Sequence, residues 1–246
     1  MNLPSSPVVR PSAELPVQRP VLAFVDTERG AALPVVSLDT EARRLHAAGL
    51  LSTEGGTVLS ASSGADDNRP VYLAAIAGEE PQALRLQAAE AIVRLQAHGH
   101  AACSVVLPEI TGARVQAIAE GIFSANHRFE SSGPARDRCR RIEDLDFVMA
   151  DRKGAVADGL HAGWLTSMAA LSARHLATEP ANELTPPVFV ERCRTLARQA
   201  GFSLSVMGRK KLEAAGMGGL LTVAAGSRHE PFLVRMDWLP SDCPDG

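Results

Sequence analysis

The apolar positions of this chain recur with two periods. Short apolar runs rich in β-branched residues occur at VLAFVD (21–26), TVLSAS (57–62), VYLAAIA (71–77), CSVVLPE (103–109) and IEDLDFVMA (142–150), and read as strands. The polar turn SGADDNRP separates the second and third, which predicts a hairpin or two neighbours in one sheet. Between the runs the period becomes helical. TEARRLHAAGLL (40–51) reads as a helix ended by the Gly55-Gly56 pair. QALRLQAAEAIVRLQAHG (82–99) sets Leu84, Ala88, Ile92 and Leu95 on one face, with Gly99 at the C-cap. GARVQAIAEGIFSANHRF, from Gly112, does the same with Val115, Ile118, Ala119 and Ile122. Strands alternating with helices predict an α/β layer structure with a parallel or mixed sheet.

DRKGAV (151–156) is a polar break. A long helix follows, ADGLHAGWLTSMAALSARHL, with Leu160, Trp164, Met168 and Leu171 spaced along one face, and reads as a connection between domains. Pro180 ends it, because a proline pushes the preceding residue out of helical geometry. Thr185 is the N-cap expected for the next helix and Pro186 its first residue. In that helix Phe189, Cys193, Leu196 and Ala200 are expected to form the inner face. FSLSVM, RKKLEAAG and FLVRMDWL complete a strand–helix–strand run. The resulting scheme is a loose Pro- and Ser-rich tail (1–19), an α/β domain (20–150), a linking helix (151–179) and a short second region (180–246). That last region supplies too few elements to bury a self-sufficient core, so it is expected to be incomplete.

Composition adds boundaries rather than identity. The chain has 246 residues and a net charge of -3, which gives no basic footprint for nucleic acid. No apolar run suits a membrane helix, and the N-terminus lacks the apolar segment of a signal peptide. A cytoplasmic location is the default expectation. Cys103, Cys139, Cys193 and Cys243 are scattered, which disfavours a disulfide framework and excludes a zinc ribbon.

Candidate chemistry is sparse. GMGGLLTVAAGS (216–227) is rich in glycine, but it lacks the GK[ST] of a P-loop and the GxGxxG spacing, so tight turns are favoured over phosphate binding. The histidines at 46, 98, 100, 127, 161, 175 and 229 include one close pair, His98 and His100, with no HExxH; they read as surface or cap residues. Asp66-Asp67, Glu79-Glu80 and the alternating Asp144 and Asp146 are the paired carboxylates. Acid–base work or metal binding is open to such pairs, but the favoured reading is a strand edge beginning near Asp144. No GxSxG occurs, and Cys193 reads as a core residue.

One stretch is far more specific. Arg174, Leu176, Pro180, Ala181, Asn182, Leu184, Thr185 and Pro186 resemble the R-x-L-x-x-x-P-A-N-x-L-T-P pattern of the leucyl (cytosol) aminopeptidase family, with His175 where that family usually has Asp. GMGGLLTVAAGSRHEPFLVRMDWLP is similar to its next block, G-M-G-x-L-x-x-V-x-x-G-S-x-x-x-P with a following apolar strand. AEGIFSANHRFE (119–130) is a weaker echo of its A-E-G…Y-x-F segment, with His127 in place of Tyr. The resemblance implies a macro-domain-like N-terminal α/β domain, a linking helix and a peptidase domain. It implies two divalent ions (zinc, manganese or magnesium) about 3.5–4 Å apart activating a water for removal of N-terminal residues from peptides, and a homo-oligomer.

The family's metal-ligand blocks, G-K-G-x-T-F-D-x-G-G, a later Asp-containing block and N-x-E-G-R, have no counterpart between residues 1 and 246. No catalytic, cofactor-binding or metal residue carries over, and the chain is expected to bind no metal pair. The leading expectation is a truncated, inactive part of such an enzyme. The alternative is a non-enzymatic module whose front domain binds a small ligand such as ADP-ribose, or serves oligomerisation.

Overall fold

The computed structural model describes residues 8–11, 19–28, 33–51, 58–62, 69–127, 141–150 and 154–239. In chain order the elements are β1 (Val8–Pro11), β2 (Val21–Asp26), α1 (Val36–Ala47), β3 (Val58–Ser62), β4 (Pro70–Ile76), α2 (Pro81–Ala97), β5 (Ala102–Val106), α3 (Gly112–Asn126), β6 (Asp144–Met149), α4 (Ala155–Thr178), α5 (Pro186–Ala200), β7 (Ser203–Met207), α6 (Arg209–Ala214), α7 (Gly218–Ala224) and β8 (Leu233–Asp237). They fall into two compact units, Met1–His175 and Leu176–Gly246, with the boundary inside α4.

The first unit is a six-stranded sheet in the order β1-β6-β5-β2-β4-β3. Every neighbouring pair is parallel except β3–β4, which is antiparallel with Ser62 opposite Pro70. That is the hairpin arrangement the polar turn predicts. Alternation along the buried strands feeds two separate cores. Leu22, Phe24, Tyr72, Cys103, Val105 and Phe147 face one side, with the inner faces of α2 and α3. Val21, Ala23, Val25, Val71, Leu73, Val106 and Val148 face the other, with Leu38, Ala42 and Leu45 of α1. The predicted apolar faces of α2 and α3 are the buried ones, all eight residues at 0–1% exposure.

Three features depart from expectation. Residues 8–11 lie in the segment read as a loose tail, yet they form β1, parallel to β6. A four-residue edge strand needs only backbone pairing, so it leaves little periodic signal. Helix α1 starts at Val36 rather than Thr40 and ends after Ala47. Gly49, at φ +69°, is the terminator, because the Leu50 N–H reaches back to the Leu45 carbonyl at 3.0 Å and needs a left-handed residue before it. The Gly55-Gly56 pair lies outside the described residues. Helix α3 ends at Asn126, short of the predicted Phe129.

Helix α4 packs on α3 through its smallest residues. Gly159, Leu160, Gly163, Ser167 and Leu171 are buried, while Trp164 and Met168 are only partly so. A Cβ on Gly163 would sit 2.7 Å from Ala119 Cβ and from the Gln116 carbonyl oxygen. The apolar spacing anticipates Leu160 and Leu171 but misses the glycines that set the helix–helix distance.

The second unit is a two-stranded antiparallel sheet, β7–β8, with α5, α6 and α7. Few of its side chains are fully buried: Val190, Cys193, Ala197 and Leu212 are the hydrophobic ones. The inner face of α5 is therefore Val190–Cys193–Ala197. Of the expected set only Cys193 is buried; Phe189 and Leu196 are 36% and 45% exposed and Ala200 lies outside as well. The spacing is the same, but the stripe is rotated, because the apolar residues of this helix outnumber one face.

Candidate functional site

Most of the sequence-selected groups can be placed; Asp66, Asp67, Cys139 and Cys243 lie outside the described residues. Glu179, at the start of the EPANELTP turn, is tied to Arg192 of α5 through paired guanidinium–carboxylate bonds, one of them 2.8 Å. Inside it the Glu183 and Leu184 amides both donate to the Pro180 carbonyl at 2.9 Å. Thr185 is the N-cap of α5 by backbone position, and its carbonyl accepts from the Phe189 amide at 2.9 Å. Its side chain makes no capping bond, unlike the expectation for a capping threonine.

The glycine-rich block is a helix end and a helix start. Gly216, at φ +66°, lets the Met217 amide return to the Leu212 carbonyl at 3.0 Å and so closes α6. Gly218 and Gly219 open α7, and a Cβ on either would meet open space. Tight-turn geometry thus accounts for Gly216 and not for its two successors. Gly208 has the close approach instead, with Glu230 Oε1 2.8 Å from its would-be Cβ. That oxygen accepts the Arg209 amide at 3.0 Å and neutralises the start of α6.

The carboxylates of the first unit are engaged by arginines. Asp144 opens β6, and both it and Asp146 accept from Arg19, Asp146 at 2.5 Å. Asp146 is buried and Asp144 exposed. Asp66 and Asp67 lie outside the described residues. Glu80 caps α2, accepting the Ala83 amide at 2.6 Å. Glu79 approaches the Arg114 Nε at 3.7 Å.

The histidine pair does come together, around Tyr72. His98 caps α2 and stacks on the Tyr72 ring at 5.4 Å; His100 Nε2 and the Tyr72 hydroxyl share a 2.7 Å hydrogen bond. Burial, then the neighbouring His98, pushes the His100 imidazole below its ordinary range. Burial raises the Tyr72 phenol and pushes the fully buried Cys103 thiol up to about 12, so neither is a nucleophile near neutrality.

Residue spacing could have found one site that was not singled out. Arg114 lies in phase with the buried face of α3, four residues before Ile118. It is 3% exposed and donates at 2.5 Å to Asp26, the last residue of β2. The pair sits at the carboxyl ends of β2 and β5, whose connections leave in opposite directions, the place where open α/β sheets take ligands. Here the only buried cation among the described residues is already held between Asp26 and Glu79. In the second unit, Arg194, Ala197, Arg198, Leu204 and Val206 line an open groove of ≈ 380 Å³ between α5 and β7.

Among the described residues, no three His, Cys, Asp or Glu side chains converge as metal ligands. Of the described carboxylates of the second unit, Glu179 is committed to Arg192 and Glu230 to the α6 amide.

Residues 171–245 match the model of the cytosol aminopeptidase family, catalytic domain. Over that segment the chain is similar to the family's catalytic domain. A probable cytosol aminopeptidase of Synechococcus sp. (strain JA-3-3Ab) is 35% identical over 179 residues, 66% of this chain and 35% of the relative. One from Desulforapulum autotrophicum is 30% identical over 145 residues, 56% of this chain and 28% of the relative. The chain therefore spans about a third or less of these relatives. Among solved structures, the bottromycin maturation enzyme BotP in complex with Mn aligns with TM-score 0.67 and 23% identity, covering 92% of this chain and 46% of that one. A tomato leucine aminopeptidase mutant aligns with TM-score 0.69 and 17% identity, covering 96% and 51%. At these identities the likeness is one of fold, and it agrees with the mixed α/β architecture.

Proposed function

We propose that this chain is the non-catalytic front portion of a metal-dependent aminopeptidase: a macro-domain-like unit, a linking helix and the first elements of the peptidase domain. The observation that carries this reading is what the shared residues do here. In EPANELTP, GMGG and GS…P the polar and glycine positions make a turn, a helix end and a helix start, with Glu179 bound to Arg192 and Glu230 to the Arg209 amide. They build a scaffold.

On this reading the peptide substrates, the pair of divalent ions, the homo-oligomer and the cytoplasmic location belong to the whole protein of which this chain is a part. No helix among the described residues is long and apolar enough to cross a membrane. The test is release of chromophore from leucyl-p-nitroanilide by the purified chain with manganese or zinc. The expected rate is that of buffer and metal without protein. Metal-dependent turnover that co-purifies with the chain refutes the proposal.

A further inference from the structure

Three ring side chains meet at the amino ends of β4 and β5. His98 and His100 are two residues apart, a spacing that sends side chains to different faces of a helix. Gly99 between them takes φ +78°, and this left-handed residue at the end of α2 turns the chain so that both imidazoles reach Tyr72. The three ring centroids lie 5.4, 5.6 and 6.4 Å apart. The turn and the strand that bring them together lie wholly within the first unit.

The three rings are held differently. Tyr72 is 5% exposed and belongs to the core. His100 is partly buried, and its Nε2 shares the 2.7 Å bond with the Tyr72 hydroxyl, which leaves Nδ1 as its remaining ligand nitrogen. His98 is exposed, and among the described residues neither of its ring nitrogens has a hydrogen-bond partner. A metal-ligating histidine spends its other nitrogen on an orienting hydrogen bond, and Tyr72 gives His100 that bond. An imidazole nitrogen binds zinc at about 2.0–2.1 Å, which sets two ring centroids on one tetrahedral ion about 5 Å apart. From the observed 6.4 Å, the His98 ring reaches that spacing by a pivot of about 1 Å. The geometry points to a metal site in which His98 and His100 bind one divalent transition ion of the zinc class, with the Tyr72 hydroxyl holding His100 in position. Water completes the coordination, and imidazole ligands favour such ions over magnesium or calcium.

Tyr72 is the only tyrosine of the chain, so isotope-labelled tyrosine gives a single NMR signal beside the site. Titrating the full chain with zinc should shift that signal saturably, and magnesium should leave it in place. His98→Gln removes an exposed ring with no hydrogen bond to lose, so the core is untouched. It should weaken the zinc response at least tenfold, and His100→Gln should do the same. A signal that ignores zinc, an equal response to magnesium, or wild-type zinc affinity in His98→Gln would each overturn the inference and leave the two histidines as helix-end residues.

Discussion

Asp26 and Arg114 are 2% and 3% exposed, and each is the other's principal partner. Burial of two charges is tolerated because each compensates the other, and removing one leaves an uncompensated ion in the core. Asp26→Asn keeps the shape and deletes the charge. It is expected to destabilise the first unit by about 3–5 kcal/mol, measured as a shift in the urea unfolding midpoint. His100 carries a smaller, pH-dependent term. Burial and His98 lower its folded-state proton affinity, so the unfolded chain takes up the proton first on acidification. Its contribution is fully present above about pH 6.5, the ordinary histidine value, and declines as the pH falls below it. Unfolding midpoints at pH 7.5 and 5.5 should therefore differ more for the wild type than for His100→Gln. Equal differences in the two proteins would remove this assignment.

The helices show which signals are readable along a chain and which are not. Faces spaced four, four and three, such as Leu84–Ala88–Ile92–Leu95, are buried as expected. The period of 3.6 maps directly onto a surface when one stripe is clearly apolar. α5 carries apolar residues on more than one stripe, and the choice of Val190, Cys193 and Ala197 was made by packing. Capping is similarly divided. Glu80 accepts from the Ala83 amide, whereas Thr185 makes no side-chain bond. Glu80→Ala should cost about 1 kcal/mol. Thr185→Ala should change stability by less than about 0.5 kcal/mol, as for an ordinary surface substitution. Chemical denaturation of the two variants makes the comparison, and the reverse ranking would count against these cap geometries.

At the scale of the whole molecule the two units differ in how much they bury. The first has two apolar layers around a six-stranded sheet. The second covers a two-stranded sheet with few fully buried residues, and β7 and β8 have none. Local opening follows buried contact, so the amides of β7 and β8 should exchange with solvent much faster than those of β2, β4 and β5. Hydrogen exchange read by mass spectrometry resolves the two sets. Equal protection would mean that the second unit is stabilised by something other than its own core.

The sequence by itself determined the α/β class, most of the strands of the first sheet, the apolar faces of α2 and α3 and, through EPANELTP and GMGG, the likeness to the cytosol aminopeptidase family. These are local or periodic properties, written into neighbouring residues. Only the tertiary structure decided that residues 8–11 pair with β6, that Gly159 and Gly163 set the approach of α4 to α3, and that Asp26 meets Arg114 across 88 positions. Those depend on distances between elements far apart in the chain, which no spacing along it records. The same division holds for the candidate site. The polar residues of the family motifs are visible in the sequence, but that Glu179 and Glu230 close a turn and cap a helix is visible only once their partners stand beside them.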